Sequence, residues 1–237
     1  MEMKLSFRSI CRKNQIQISG FQIELLDKFQ TNLLLWNNKI NLISRKETNN
    51  IWMRHIFASI SFQSKYIFHE MGTVLDIGTG GGLPGVPLAI LRPDIHFTLV
   101  DSIQKKIRAL EDIVSRLNIK NVSIVCGRAE ELSKRKKYFH HFEYVIARAV
   151  APIKDIIQWT KPFLVDRATI IQPRRATKTP TYIERGSIVL LKGGDLSNEI
   201  EEANIKHNPK EISIYPIIVK GLEETDLIDK KLVIVKP

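Results

Sequence analysis

A cluster of glycines behind a short apolar segment is the part of this sequence with the clearest chemical meaning. Gly78 directly follows the segment 73–77, and four more glycines follow from Gly80 to Gly85. Glycines placed directly after a strand let the backbone turn sharply and approach a ligand closely. In parallel sheets, ligands bind outside the carboxyl ends of the strands. The pattern therefore predicts a ligand-binding turn that begins at Gly78.

Two later segments end in polar residues that suit a nucleoside. Asp101 follows the apolar run 96–100, where a carboxylate can accept hydrogen bonds from ribose hydroxyls. The run 122–126 is followed by the polar loop 127–130, which could hold the edge of an adenine. Three strand ends are thus expected to meet at one crevice. The alternative is an ordinary glycine turn beside a structural aspartate.

The glycine spacing narrows the class of nucleotide. The pattern Gly78-x-Gly80-x-x-Leu83 lacks the third glycine of a dinucleotide-binding turn, and no lysine follows it as in a phosphate-binding P-loop. A ligand without a pyrophosphate is therefore favoured. A nicotinamide-dependent oxidoreductase is disfavoured by the same missing glycine.

The elements that must position these residues follow from hydrophobic periodicity. Residues 1–70 are predicted to be a helical extension, in which Ser19 is a candidate N-cap for a helix starting near Phe21. From residue 71 onward, strands alternate with helices, which predicts an α/β fold with a mainly parallel seven-stranded sheet and helices on both faces. A basic loop insertion is expected near 167–186. The predicted strands are 73–77, 96–100, 122–126, 144–147, 187–191, 212–217 and 232–235.

Composition indicates the kind of partner. The 237 residues carry a formal net charge of +11, which argues for a polyanion such as nucleic acid. The basic runs 134–137 and 167–185 are interpreted either as solvated loops or as phosphate contacts. Two cysteines, Cys11 and Cys126, form neither a disulfide framework nor a metal-ligand pattern. No membrane segment or signal peptide is expected, which predicts a cytoplasmic protein. No bound metal is expected, and the protein is predicted to be a monomer.

Seven motifs follow one another along the chain: Trp36-Asn37-x-x-x-Asn41-Leu42, Arg54-His55-Ile56, Gly78 to Ile90, Arg92-Pro93, Val100-Asp101-Ser102, Ala147 to Ala151 and Leu191-Lys192-Gly193-Gly194. Taken together and in this order, they resemble the RsmG family, also called glucose-inhibited division protein B, within the class I methyltransferases of Rossmann-like fold. The resemblance covers about residues 20–237. The proline-containing loop Leu83-Pro84-Gly85 and the Ala147-Arg148-Ala149 turn are specific to that family.

The resemblance implies the cofactor and the reaction. It implies S-adenosyl-L-methionine as methyl donor and N7 of guanine 527 in 16S ribosomal RNA as acceptor, with that RNA or the small ribosomal subunit as partner. Members often have an aspartate where this chain has Ala58, so a role for that carboxylate is absent here. The implied cofactor residues are Gly78, Gly80, Leu83, Asp101, Ala129, Glu130 and Arg148.

No general base is expected, because guanine N7 presents a lone pair and has no proton to lose. Arg148, at the end of the fourth predicted strand, is the candidate catalytic residue, orienting either the methionine carboxylate or the RNA. Its alternative is a structural salt bridge. The candidates for RNA contact are Arg54, His55, Lys192, Arg174 and Arg175.

Two other functions remain open from the sequence. A class I methyltransferase could act on another RNA, a protein or a small molecule, although the basic excess argues against the last two. A non-catalytic RNA-binding protein could retain the same fold, although the intact glycines and Asp101 argue against a decayed cofactor site.

Overall fold

A seven-stranded sheet forms the centre of the computed structural model, which describes residues 2–44, 48, 50–166, 181–221 and 229–237. Two further short strands pair with each other outside it. The strands are β1 (Tyr66–Ile67), β2 (Thr73–Ile77), β3 (His96–Asp101), β4 (Val122–Cys126), β5 (Tyr144–Arg148), β6 (Thr181–Tyr182), β7 (Ser187–Gly193), β8 (Glu211–Pro216) and β9 (Lys230–Lys236).

The central sheet has the strand order β4-β3-β2-β5-β7-β9-β8, and only β9 runs antiparallel to its neighbours. Ile77 of β2 pairs with Val100 on one side and with Ala147 on the other. The carboxyl ends of these three strands therefore lie side by side, as the sequence predicted. The strand order reverses at β2, between β3 and β5, which is where ligands bind in open α/β sheets.

Eight α-helices are present in the described residues, together with short π- and 3₁₀-helical turns. Ser19 caps α2 as predicted, since its hydroxyl accepts from the Gln22 N–H and Gln22 returns a bond to the cap. None of the described helices is long and apolar enough to cross a bilayer. The helices are α1 (Glu2–Lys13), α2 (Gly20–Asn37), α3 (Ala58–Ile60), α4 (Gly85–Leu91), α5 (Gln104–Leu117), α6 (Ala129–Leu132), α7 (Ile153–Thr160) and α8 (Ser197–His207).

The prediction of a helical extension up to residue 70 is wrong in its last part. A π-helix (Trp52–Phe57) leads into α3 and a 3₁₀ turn, and the chain then extends into β1. Tyr66 and Ile67 pair with β6, so pairing with a distant segment overrides the local helical pattern. Residues 167–180 lie outside the described residues, and with them the candidates Arg174 and Arg175.

The two faces of the sheet are covered by different helices, because side chains alternate along each strand. Val74 of β2 joins a core that includes Phe29 of α2 and Leu110 of α5. Leu75 joins a second core, which includes Ile156 of α7. The N-terminal helices thus share one continuous apolar core with the α4–α5 face of the sheet.

Candidate active site

The glycine loop is fixed to the end of β3 by hydrogen bonds that its own backbone N–H groups donate. Gly78 and Gly80 have positive φ angles of 64° and 57°, a conformation that glycine adopts without strain. The Thr79 N–H donates to the Val100 carbonyl at 3.0 Å, and the Gly80 N–H donates to Asp101 Oδ2 at 3.0 Å. The loop therefore turns directly over the neighbouring strand.

Close packing also requires glycine in this loop. A Cβ atom on Gly78 would lie 2.6 Å from Cγ2 of Val150, and one on Gly85 would lie 2.3 Å from Cδ2 of Leu99. Side chains at these positions would displace their neighbours. The absence of side chains lets the loop after β5 approach β2 closely.

Asp76 holds both ends of the glycine loop from below. It is fully buried, and its Oδ2 accepts from the Thr79 hydroxyl at 2.7 Å and from the Gly85 N–H at 2.9 Å. Burial raises the pKa of Asp76 to about 7, although these two hydrogen bonds oppose the rise. Asp76 lies two residues before the first glycine and belongs to the sequence pattern that favoured a ligand without a pyrophosphate, but it was not among the predicted cofactor residues.

Asp101 connects the loop to the cavity. Its side chain is almost fully buried, and Oδ1 accepts from the Ile103 N–H at 2.9 Å while Oδ2 accepts from Gly80. A carboxylate has about four lone-pair positions, so these two bonds leave acceptor capacity on each oxygen. The carboxylate is thus oriented by the backbone and can still bind hydroxyl groups.

A cavity of about 360 Å³ opens at the carboxyl ends of β2, β3, β4 and β5. Four predicted cofactor residues line it, namely Gly78, Asp101, Ala129 and Glu130. Leu83 is instead buried in the core, and its N–H bonds to the Thr79 carbonyl. The lining also includes Arg128 of the predicted adenine segment and three residues of the family motifs, Ser102, Ala149 and Val150. Sequence reasoning did not select Ile103, Lys106 and Trp159, which line the cavity as well.

Arg148, Arg54 and His55 are brought together by the structure. Nη2 of Arg148 donates to the Arg54 carbonyl at 3.2 Å and to Nδ1 of His55 at 2.7 Å, and Nη1 donates to the His55 carbonyl at 3.3 Å. Burial, together with the charges of Arg148 and Arg54, lowers the pKa of His55 to about 3. The imidazole is therefore neutral. Roles in cofactor or RNA binding stay predictions for all three residues.

Lys192 lies below the loop that follows β5. Its Nζ donates to the Ala151 carbonyl at 2.8 Å and forms an ion pair with Glu199 of α8 at 2.6 Å. The ammonium group is thus engaged inside the protein, with only 12% of the side chain exposed. Its predicted contact with RNA phosphate stays a prediction that this arrangement does not favour.

The segment after α2 lies over the glycine loop and explains the Trp36-Asn37 motif. Oδ1 of the buried Asn37 accepts from the N–H groups of Leu42 and Ile43, at 2.8 and 2.9 Å. A Cβ atom on Gly81 would lie 3.2 Å from Cβ of Leu42. The indole N–H of Trp36 donates to Asp112 at 2.8 Å. Asn37 therefore holds the extension against the loop.

Comparison with known proteins gives the family. A family model described as rRNA small subunit methyltransferase G (GidB) matches residues 22–185, which is more than half of the chain. The chain belongs to this family. No group of three or more His, Cys, Asp or Glu side chains suited to a metal ion occurs in the part of the chain that the structure describes.

Curated members of the family are similar over nearly the whole chain. The ribosomal RNA small subunit methyltransferase G of Chlorobium phaeobacteroides is 37% identical over 218 residues, covering 92% of this chain and 87% of the relative. The protein of the same name from Alkaliphilus oremlandii is 32% identical over 230 residues, covering 95% and 93%. The likeness is thus not confined to the glycine loop.

Solved structures support the fold. A fibrillarin/Nop5p complex matches with a TM-score of 0.51 and 12% identity, covering 77% of this chain and 80% of that chain. The strand order, together with this similar structure, shows the Rossmann-like class I methyltransferase fold that the sequence predicted. Because the family is a methyltransferase family of this class, the cofactor is S-adenosylmethionine. The cavity suits that group, because it joins an oriented carboxylate, a glycine at its wall and a polar loop.

Proposed function

We propose that this protein methylates N7 of guanine 527 in 16S ribosomal RNA, using S-adenosylmethionine. The observation that carries the proposal is the cavity bounded by Gly78, Asp101 and the 127–130 loop in a member of the rRNA small subunit methyltransferase G family. The particular atom and nucleotide come from the resemblance of the seven motifs to that family.

The cofactor would be held by residues from three strand ends. Asp101 retains lone pairs for the ribose hydroxyls, and Ala129 and Glu130, at the start of α6, line the cavity where they would face the adenine edge. Gly78 and Val150 form the wall between β2 and β5. When bound, the cofactor supplies an electrophilic methyl group on a sulfonium.

The acceptor needs alignment more than proton transfer. Guanine N7 attacks with a lone pair and loses no proton, so the protein has to orient the base and exclude water. His55, which contacts the candidate Arg148, fits that requirement, because its pKa of about 3 makes it a weak base and its Nδ1 already accepts from Arg148. The protein's part in the reaction is therefore positioning.

An RNA acceptor is supported by charge. The chain has a net charge of +11, and the exposed run Lys134, Arg135, Lys136 and Lys137 follows α6, whose first residues line the cavity. Cations near the site would contact phosphates around the target base. A small-molecule acceptor would not require this surface.

Mapping of modified nucleotides in 16S ribosomal RNA tests the proposal. RNA from a strain lacking the protein is expected to lack one methyl group at guanine 527, and the purified protein with S-adenosylmethionine should restore it on small subunits. Borohydride reduction followed by aniline cleaves RNA at 7-methylguanosine and so identifies the atom. Methyl incorporation at another position or only into a small molecule would refute the proposal.

Arg148, which directly precedes the cavity-lining Ala149, gives a second test. Arg148→Ala removes the bonds to the carbonyls of Arg54 and His55, so we expect methylation to fall by at least about a hundredfold while the chain still folds. Methyl transfer to small subunits and thermal unfolding measure the two effects. Arg148→Lys, which keeps one cation, is the matched comparison, and full turnover by the alanine variant would contradict the role.

A further inference from the structure

An ion pair lies beneath the loop that joins β5 to α7. Besides pairing with Lys192, Oε2 of Glu199 accepts from the Ile153 N–H at 3.0 Å. Lys192 also holds the Ala151 carbonyl. Residues of β7 and α8 thus fix the carbonyl of Ala151 in this loop and the N–H of Ile153, the first residue of α7.

This loop forms one wall of the cofactor cavity. Ala149 and Val150 both line the cavity, and Val150 lies against Gly78. Ala149 has a φ of 54°, a left-handed conformation that costs free energy for a residue with a Cβ atom. Such a turn persists only where its surroundings hold it, and the anchored groups at Ala151 and Ile153 supply that constraint.

We propose that Lys192 and Glu199 are positioning residues for S-adenosylmethionine. They act through the backbone of the loop and keep Ala149 and Val150 in place as a wall of the cavity, without touching the cofactor themselves. The inference rests on the proposed function only in that this cavity holds the cofactor, and it is independent of the RNA nucleotide that is methylated.

The geometry favours this role over contact with RNA phosphate. An ammonium group has three donors, and Lys192 already directs two of them at acceptors 2.6 and 2.8 Å away. If Lys192 turned outward, Glu199 would lose its cation in a partly buried position. The lysine is therefore held inside the protein by the groups that it orders.

Three variants test the positioning role by calorimetric titration with S-adenosylmethionine. Lys192→Met and Glu199→Ala should each raise the cofactor Kd about tenfold, the loss that one charge-assisted hydrogen bond produces. Glu199→Gln keeps an acceptor oxygen and should stay within about threefold of the wild type. The KM for small subunits should not change, because the RNA-binding surface remains intact.

Glu202→Ala is the matched control for Glu199→Ala. Glu202 pairs with Lys154 at 2.9 Å and so also joins α8 to α7, through a side chain of α7 and not through the backbone of the loop. This substitution should leave the cofactor Kd unchanged. An equal rise in Glu202→Ala and Glu199→Ala would overturn the proposal, because the effect would then arise from helix packing.

The remaining outcomes are also decisive. Wild-type cofactor affinity in Lys192→Met, with weakened RNA binding, would overturn the positioning role in favour of phosphate contact. If Lys192→Met does not fold, as judged by circular dichroism, the ratio of Kd values for Glu199→Ala and Glu199→Gln decides. Failure of the wild-type chain to bind S-adenosylmethionine would instead overturn the cofactor assignment, so the two failures are distinguishable.

Discussion

Asp101 is the residue on which cofactor affinity should depend most directly. Asp101→Asn keeps the shape of the side chain but replaces one carboxylate oxygen with an amide NH2 group. Either the Gly80 N–H or the Ile103 N–H then faces a donor in place of its acceptor. We expect the Kd for S-adenosylmethionine to rise by at least about tenfold in a calorimetric titration. Asp112→Asn removes an acid of α5 that does not line the cavity, and this variant serves as the control. Unchanged affinity in Asp101→Asn would contradict the assignment.

His55 and Asp76 should influence stability in opposite directions as pH changes. The folded pKa of His55 is about 3 and its ordinary value is 6.5, so the unfolded chain binds more protons and stability rises with pH between them. The folded pKa of Asp76 is about 7 and its ordinary value is 3.8, so the folded chain binds more protons and stability falls as pH rises. The two slopes oppose each other where these ranges overlap.

Removal of His55 should expose the slope that Asp76 produces. In His55→Asn, the free energy of unfolding is expected to decrease from about pH 4 to about pH 6, by at most about 1.4 kcal/mol per pH unit. Urea unfolding at a series of pH values measures this slope. His140→Asn alters an exposed histidine and should follow the wild-type curve. A variant slope equal to that of the wild type would show that His55 is charged in the folded chain.

Sequence reasoning found some residues of the site and missed others for physical reasons. Asp101 was predictable because a polar residue at a strand end is almost certain to reach the carboxyl edge of the sheet. Glu199 acts through the N–H group of Ile153, which is 46 residues away in sequence and which only the packing of α8 brings near. Spacing along one chain contains no signal for such contacts.

At the scale of elements, Asn37 should determine how the segment after α2 sits on the glycine loop. Asn37→Ala leaves the N–H groups of Leu42 and Ile43 without their acceptor, which should cost about 1–3 kcal/mol of stability. It should also weaken cofactor binding, because Leu42 lies beside Gly81. Thermal unfolding and calorimetry measure the two effects.

Asn38→Ala provides the neighbouring control for that substitution. Asn38 is exposed at the end of α2, and its backbone N–H makes the capping bonds that any residue could make. Stability and cofactor affinity should both stay near wild-type values. Equal losses in the two variants would show that the end of the helix matters, and that the Asn37 side chain does not.

The strands of the central sheet were predictable because buried parallel strands are short apolar runs bounded by glycine and polar residues. Helix α8 was not predicted, since Ala203 is its only fully buried residue and its apolar stripe is correspondingly weak. Strand β1 was predicted as helix, because the partner that makes it a strand, β6, is far away in sequence. Elements defined by tertiary contacts were thus the ones missed.

At the scale of the whole molecule, the net charge should make RNA binding depend steeply on salt. Replacing the four exposed cations 134–137 with glutamine should lower the magnitude of the slope of log K against log salt by up to about 3.6, at roughly 0.7–0.9 for each phosphate that is no longer neutralised. Filter binding to 16S ribosomal RNA over a salt series measures it. Lys154 and Lys206, which pair with acids on α7 and α8, are suitable control positions. An unchanged slope would place the RNA elsewhere.

The packing of Leu33 and Leu42 against Gly81 has a consequence for the integrity of the enzyme. Helix α2 and the segment after it cover the glycine loop, so a fragment starting near Gly72 would expose this loop to water and should lose donor affinity together with heat resistance. Occupancy by the donor should in turn slow amide exchange in α2, although that helix makes no wall of the cavity. Binding of the methyl donor and the stability of the amino-terminal third of the chain should therefore be thermodynamically linked, so that each increases the other.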